Sequence, residues 1–318
     1  MTRHPIRFGF QSGQQNVTWE RMRDAWQKMD GWGYDSLWVF DHLYPIFTPD
    51  PAGPCMENWT LLGALSQNTK RARIGALVNG NTYRNPCLTA KMAATLDHVS
   101  GGRLTLGLGA GWYELEHRSF GIDFKSIGGR LRALDESCQI IKGMFAQEKT
   151  TLAGKHYNVV DAVCNPKPIQ KPGVPLMIGG RGEKGLLKIV AKHADMWNTM
   201  HSNPAEMKRL IGVIERHGDT VGRNTDEIEK TIMMPLCYKA PKQREELIAG
   251  TVASMARIPP EQARDRIMIG SKQECLDKIE QYVNVGVTHF IFSLRWPILE
   301  EDEFQAFAEE VIPAVRGS

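Results

Sequence analysis

Asp41-His42 closes a short apolar run, Ser36-Leu37-Trp38-Val39-Phe40, and has the composition of an acid–base centre. Imidazole changes charge near neutral pH, so it can take or give a proton during a reaction. The same pair could instead cap a helix or make a polar surface contact. Gly179-Gly180-Arg181-Gly182-Glu183 is a second candidate. Its N–H groups stand at the start of a helical stretch, which suits an anion, and Arg181 could add charge. The run has neither Walker spacing nor the G-x-G-x-x-G fingerprint. Asn79, after Leu77-Val78, could bond the edge of a heterocycle or simply belong to a polar loop. Ala110-Gly111-Trp112-Tyr113-Glu114-Leu115-Glu116-His117 offers an aromatic wall, carboxylates and a second imidazole. Glu114 and His117 share a helical face, although a solvated first turn has the same spacing. Tyr44, Phe47 and Trp59 could wall an aromatic ligand or pack in loops and core. His201 and Trp296 follow two later strands and could reach the same site or only shape its rim.

These residues need elements to bring them together. Strand and helix signals alternate along the chain. Strands are expected at Ile6–Phe10, Ser36–Phe40, Ala72–Val78, Leu104–Leu108, Pro175–Ile178, Asp195–Thr199, Glu229–Tyr238 and His289–Ser293. Helices are expected between them, at Thr18–Met29, Asn58–Gln67, after Asn85-Pro86, at Arg130–Phe145, to about His193, at Pro204–His217, from the Ser271–Glu274 capping box to Val285, and at Glu301–Val315. In the Pro86 helix, Leu88, Met92, Leu96 and Val99 recur at helical spacing, and Ser100-Gly101-Gly102 supplies the turn that follows. Thr151–Val160 reads as a hairpin, and 165–172 as a proline-stiffened connector. Residues 240–268 read as an insertion of two helical stretches broken by Pro259-Pro260. Eight βα units favour a (β/α)8 TIM barrel over an open doubly wound sheet, with 1–318 forming one domain. In such a barrel the loops after the strands form the catalytic face, and most of the candidates above fall there.

Composition narrows the function. Among 318 residues, 39 basic and 36 acidic side chains leave a net charge of +3, with no basic block. A nucleic-acid surface is therefore not indicated. No apolar run is long enough for a membrane span, and the N-terminus lacks a leader-like apolar stretch, so a cytoplasmic location is expected. The six cysteines are scattered, without C-x-x-C or H-E-x-x-H spacing, which points to reduced thiols and no metal site.

The carriers of a family resemblance lie along nearly the whole chain. They are Ser36-Leu37-Trp38-Val39-Phe40-Asp41-His42, Arg84-Asn85-Pro86, Ala93-Ala94-Thr95-Leu96-Asp97, Ser100-Gly101-Gly102-Arg103, Gly107-Leu108-Gly109-Ala110-Gly111-Trp112, Asn165-Pro166-Lys167-Pro168-Ile169-Gln170 and Ile178-Gly179-Gly180. Together they resemble the bacterial luciferase-like monooxygenase superfamily. The Gly111-Trp112 and Gly180–Lys184 stretches look most like its branch that uses the deazaflavin coenzyme F420. The resemblance implies a TIM barrel with a flavin or deazaflavin across the strand mouth. It brings Asp41 and His42 to the ring, with Ala110, Gly111 and Trp112 along the ring or ribityl chain. It assigns the phosphate to Gly179, Gly180 and Gly182, and a cis peptide and bulge to Leu77-Val78. Catalytic roles are expected for His42, with Glu114, His117 and His201 as weaker alternatives. Relatives that oxidise sugar phosphates carry Glu where this chain has Trp112, which implies a bulkier apolar or aromatic substrate here. Reduced FMN with oxygen and a reductase partner, or a non-catalytic flavin-binding subunit, are the other roles the superfamily offers. A homodimer is also expected from the resemblance.

Overall fold

The structure is a computed structural model that describes residues 4–48, 50–294 and 301–317. Its centre is a ring of eight parallel strands: β1 (Arg7–Ser12), β2 (Ser36–Val39), β3 (Arg73–Ala76), β4 (Leu104–Gly109), β5 (Leu176–Gly179), β6 (Met196–Met200), β7 (Glu229–Tyr238) and β8 (Val287–Leu294). Each strand bonds to the next, and β8 returns to β1 with Phe8 opposite Phe290. The helices between them are α1 (Trp19–Gly31), α2 (Asn58–Asn68), α3 (Pro86–Val99), α4 (Ile127–Ala146), α5 (Leu186–His193), α6 (Pro204–Val221), α7 (Lys272–Val283) and α8 (Glu301–Arg316). The expected (β/α)8 barrel is therefore the fold. The antiparallel pair Thr150–Ala153 and Asn158–Ala162 forms the expected hairpin.

Side chains alternate between two cores. Trp38, Met177, Met196 and Ile291 meet inside the barrel, while Leu37, Val39, Phe290 and Phe292 point out toward the helices. The β1–β8 seam is sealed by α8, where Phe304 meets Phe10 edge-on at 5.2 Å and Phe307 meets Phe292 at 4.9 Å. Each buried ring of this kind stabilises the fold by roughly 3 kcal/mol against its removal. Local signals start the helices as anticipated. Asn85 accepts from the Cys87 amide at 2.9 Å with Pro86 in the first turn, and Ser271 and Glu274 form a reciprocal capping box.

Three local expectations change. In α3 the buried face is Ala90, Ala93, Ala94, Leu96 and Asp97, whereas Leu88 and Val99 are about half exposed. Of the expected stripe Leu96 is buried and Met92 packs partly against the core, while three alanines fill much of the remaining inward face. The third strand ends at Ala76, because the chain bulges at Leu77-Val78 before Asn79–Gly80 rejoins β4. The insertion holds one α-helix (Lys242–Ala256), not two, followed by 3-10 turns at Pro260–Gln262 and Arg264–Arg266. It ends in a short strand (Met268–Gly270) that pairs parallel with the last residues of β7, Leu236 to Tyr238. Val252, Ala253, Ala263 and Ile267 give it a small core of its own, continuous with Cys237 of β7.

Candidate active site

A cavity of about 1430 Å³ opens at the C-terminal ends of the strands. Gln11 lies near the end of β1 and Gly13 just after it, Asp41 and His42 follow β2, and Leu77, Val78 and Asn79 follow β3. Ala110, Gly111 and Trp112 follow β4, Gly179 ends β5 with Gly180 to Gly185 after it, and His201 follows β6. The insertion helix closes one side with Leu247, Ile248, Thr251 and Met255.

His42 is held from behind by a carboxylate. Its Nδ1 is 2.9 Å from Oε2 of Glu116, which is completely buried. Oε1 of Glu116 accepts from the Leu43 amide at 2.6 Å and the Tyr44 amide at 3.0 Å, and the Tyr83 hydroxyl donates to Oε2. Burial pushes Glu116 up, but the hydrogen bond and charge of His42, with Tyr83 and the Tyr44 amide, hold its carboxyl below the usual range. Burial, then Glu116, raises the Tyr83 phenol. With Nδ1 taken, Nε2 is the His42 nitrogen available to the cavity. The Trp112 ring stands edge-on to His42 at 5.5 Å and stacks on Phe47 at 5.8 Å. Trp112 also stacks on Tyr113 at 5.0 Å, and Trp112 and Phe47 both remain more than half exposed.

Asp41 lines the cavity and is also tied into a buried hydrogen-bond network. Its carboxylate accepts from Arg84 at 2.7 Å, the Gly80 amide at 2.9 Å and Asn58 at 3.1 Å. Asn58 also donates to Asn79, which donates to the Gly107 carbonyl. This buried network fixes the loops after β2 and β3, and the Asp41 and Asn79 groups are committed to it.

The bulge after β3 forms the cavity floor. The Leu77-Val78 peptide is cis. The Val78 side chain nests among Gly107, Gly109 and Gly179, where an added Cβ would lie 3.1, 2.7 and 2.8 Å from its methyl groups. These glycines are required for that close approach. Opposite, Gly180 adopts φ +129°, a conformation suited to glycine, and its amide bonds to the Asn198 carbonyl at 2.9 Å. The loop feeds α5, whose first turn has no side-chain cap. The Leu187 amide of that turn bonds to the Gly182 carbonyl at 3.0 Å, and Arg181 lines the cavity beside it.

Of the other sequence candidates, Glu114 is exposed and outside the cavity lining. In the short helix Glu114–Ser119, Glu114 and Glu116 are separated by roughly 200° of turn, so only one can face inward. His117 is buried with Nδ1 on the Tyr113 carbonyl and Nε2 on the Thr82 hydroxyl, which anchors the loop. His201 lines the cavity in a left-handed backbone conformation, φ +50°. Trp59 packs in the core, and Tyr44 pairs with Phe120, so only Phe47 of that aromatic trio reaches the cavity. Trp296 lies outside the described residues. Cys55 lies close behind His42, but burial, then Glu116 and Asp41, pushes its thiol up to about 12, which makes it a poor nucleophile. Sequence reasoning missed the pairing of Glu116 with His42 and Tyr83, three residues drawn from three different loops.

Residues 2–249 match the family described as luciferase-like monooxygenase. The chain belongs to the luciferase-like monooxygenase family. Its family barrel carries the His42–Glu116 pair, the Val78 bulge and the β5 glycine loop on one face. An F420-dependent glucose-6-phosphate dehydrogenase of Microbacterium testaceum (strain StLB037) is 26% identical over 337 residues, covering 98% of each chain. An F420-dependent secondary alcohol dehydrogenase, solved with an F420-acetone adduct, aligns with a TM-score of 0.84 at 21% identity, over 98% of this chain and 100% of the other. The coenzyme F420-dependent tetrahydromethanopterin reductase of Methanopyrus kandleri aligns with a TM-score of 0.81 at 20% identity, over 98% and 100%. At these identities the structural likeness establishes the barrel of this luciferase-like chain.

Proposed function

We propose that this chain is a coenzyme F420-dependent oxidoreductase that transfers a hydride between the deazaflavin and a small organic substrate at the barrel mouth. The observation that carries this reading is the coincidence, in one cavity, of a glycine-packed floor, a glycine loop leading into a helix without a side-chain cap, and a carboxylate-backed imidazole. The names of the relatives above favour the deazaflavin over FMN. The residues present fit such a group: Leu77 and Val78 support a planar ring, Ala110 to Trp112 border it, and Gly179 to Gly182 with Arg181 receive its phosphate. When bound, the deazaflavin supplies a ring carbon that carries two electrons as hydride.

The protein's own part is positioning and proton management. His42 presents Nε2 to the substrate side and exchanges the proton that accompanies oxidation or reduction. His201 is a second polar group on the same rim. Trp112, Phe47, Leu247 and Met255 make the substrate side apolar and partly aromatic, which favours a bulky apolar substrate over a sugar phosphate. They also limit water around the reacting atoms.

Binding of oxidised F420 and of FMN, followed side by side through quenching of tryptophan fluorescence, tests the cofactor. Trp112 at the rim is the natural reporter. F420 is expected to bind far more tightly. Preference for FMN would overturn the assignment and direct attention to oxygen and a reductase partner.

A further inference from the structure

We propose that Glu116 is a positioning residue that sets the tautomer of His42, holding the ring proton on Nδ1 and leaving Nε2 bare to accept a proton in the cavity. The inference rests on the reading of His42 above and extends it to a residue two places from the carboxylate that the sequence favours.

The directionality comes from the donors around Glu116. The Leu43 and Tyr44 amides can only donate, and both converge on Oε1, at 2.6 and 3.0 Å. They lock the carboxylate in place. Oε2 then faces Nδ1 of His42 at 2.9 Å and the Tyr83 hydroxyl. A carboxylate is acceptor-only, so the facing nitrogen must carry the proton. No water competes, because Glu116 has no exposed surface. When Nε2 takes a proton, the new imidazolium charge lies against this buried carboxylate and is stabilised there. The same carboxylate ties the loop after β2, through Leu43 and Tyr44, to the loop after β3, through Tyr83. The orientation of the imidazole is therefore built into the joint between two βα units.

Glu116→Gln separates this role from mere filling of space. The two amides require an oxygen at the Oε1 position. The amide NH2 must then stand where Oε2 was and donate to Nδ1. Nδ1 becomes the acceptor, and the ring proton moves to Nε2 with almost no change in shape. The test is 15N NMR of the imidazole nitrogens of full-length protein at a pH of about 8, above the ordinary imidazole range. A His42→Asn variant identifies which of the nine histidines gives the signals. Expected in the wild type is a protonated Nδ1 and a bare Nε2, and in Glu116→Gln the two nitrogens exchange character. Tyr83→Phe keeps the Glu116–His42 contact and is expected to retain the wild-type pattern. A wild-type ring with its proton on Nε2, or a folded Glu116→Gln protein with the wild-type pattern, overturns the proposal. If Glu116→Gln does not fold, the wild-type spectrum alone decides. The readout needs neither cofactor nor substrate, so an FMN preference in the binding test leaves this outcome independent.

Discussion

At the scale of single residues, neighbours in the site differ in their hydrogen-bond partners. His42 and Asp41 are neighbours in sequence, yet their side chains do different things. His42 keeps Nε2 for the cavity, while Asp41 is nearly fully buried and bonded to Arg84, Gly80 and Asn58. Burial works against the Arg84 charge, but the Asp41 ion pair outweighs it and strengthens the guanidinium's hold on its proton. Asp41→Asn removes one of the two carboxylates on Arg84, leaving Glu57 at 2.8 Å, and is expected to destabilise the protein by about 2 kcal/mol. Urea unfolding monitored by circular dichroism checks this, and a loss below about 1 kcal/mol would mean the pair behaves like a surface contact. The sequence identified His42 correctly as a cavity residue, because its position after a strand is a local fact. It could not distinguish Glu114 from Glu116. Both are acidic residues in one short helix, and the choice depends on which side faces the β2 loop.

At the scale of elements, pairs of neighbouring helices are fastened by side chains that local patterns do not reveal. Asp135 of α4 bonds His193 at 2.7 Å and Lys192 at 3.0 Å, both at the end of α5. The His193 hydrogen bond, followed by Lys192, pulls the Asp135 carboxyl down from its ordinary 3.8 to about 2. Its folded value lies below its unfolded value, so the unfolded chain takes up this proton first as pH falls. The stabilisation is complete above the unfolded value of 3.8 and disappears as pH drops toward about 2. Asp135→Asn should therefore lower the urea midpoint at about pH 6 and leave it little changed below about pH 2. An equal loss at both pH values would show that the contact acts through shape rather than charge. Element boundaries that carry strong local chemistry, such as Asn85-Pro86 and Ser271–Glu274, were readable in advance. The inward face of α3 was only partly readable: Leu96 is buried as its spacing suggests, but Ala90, Ala93 and Ala94 are buried where Leu88 and Val99 are not.

At the scale of the whole molecule, the insertion walls one side of the barrel mouth. Its helix Lys242–Ala256 stands on its own small core and presents Leu247, Ile248 and Met255 to the site. Leu247 is more than half exposed yet lines the cavity, so its contribution belongs to ligand binding more than to folding. Leu247→Ser is expected to leave the thermal midpoint nearly unchanged, within about 0.5 kcal/mol of stability. It should weaken binding of an apolar reporter such as anilinonaphthalene sulfonate severalfold. Unchanged dye affinity would place the apolar substrate wall elsewhere. No helix among the described residues is long and apolar enough to cross a membrane.

The sequence by itself determined the order of eight strands and eight helices, the helix caps, the hairpin, and most of the loops that meet at the mouth. These follow from periodicity, capping chemistry and turn residues, all of which act over a few neighbours. Tertiary structure alone decided which of those residues meet. Barrel closure brings the ends of β2, β3 and β4 side by side, so that Glu116, Tyr83 and His42, up to 74 positions apart, share one carboxylate. It also surrounds Val78 with glycines from two strands and commits Asp41 to Arg84. Hydrogen-bond partnership across loops depends on three-dimensional distance, which no local pattern encodes.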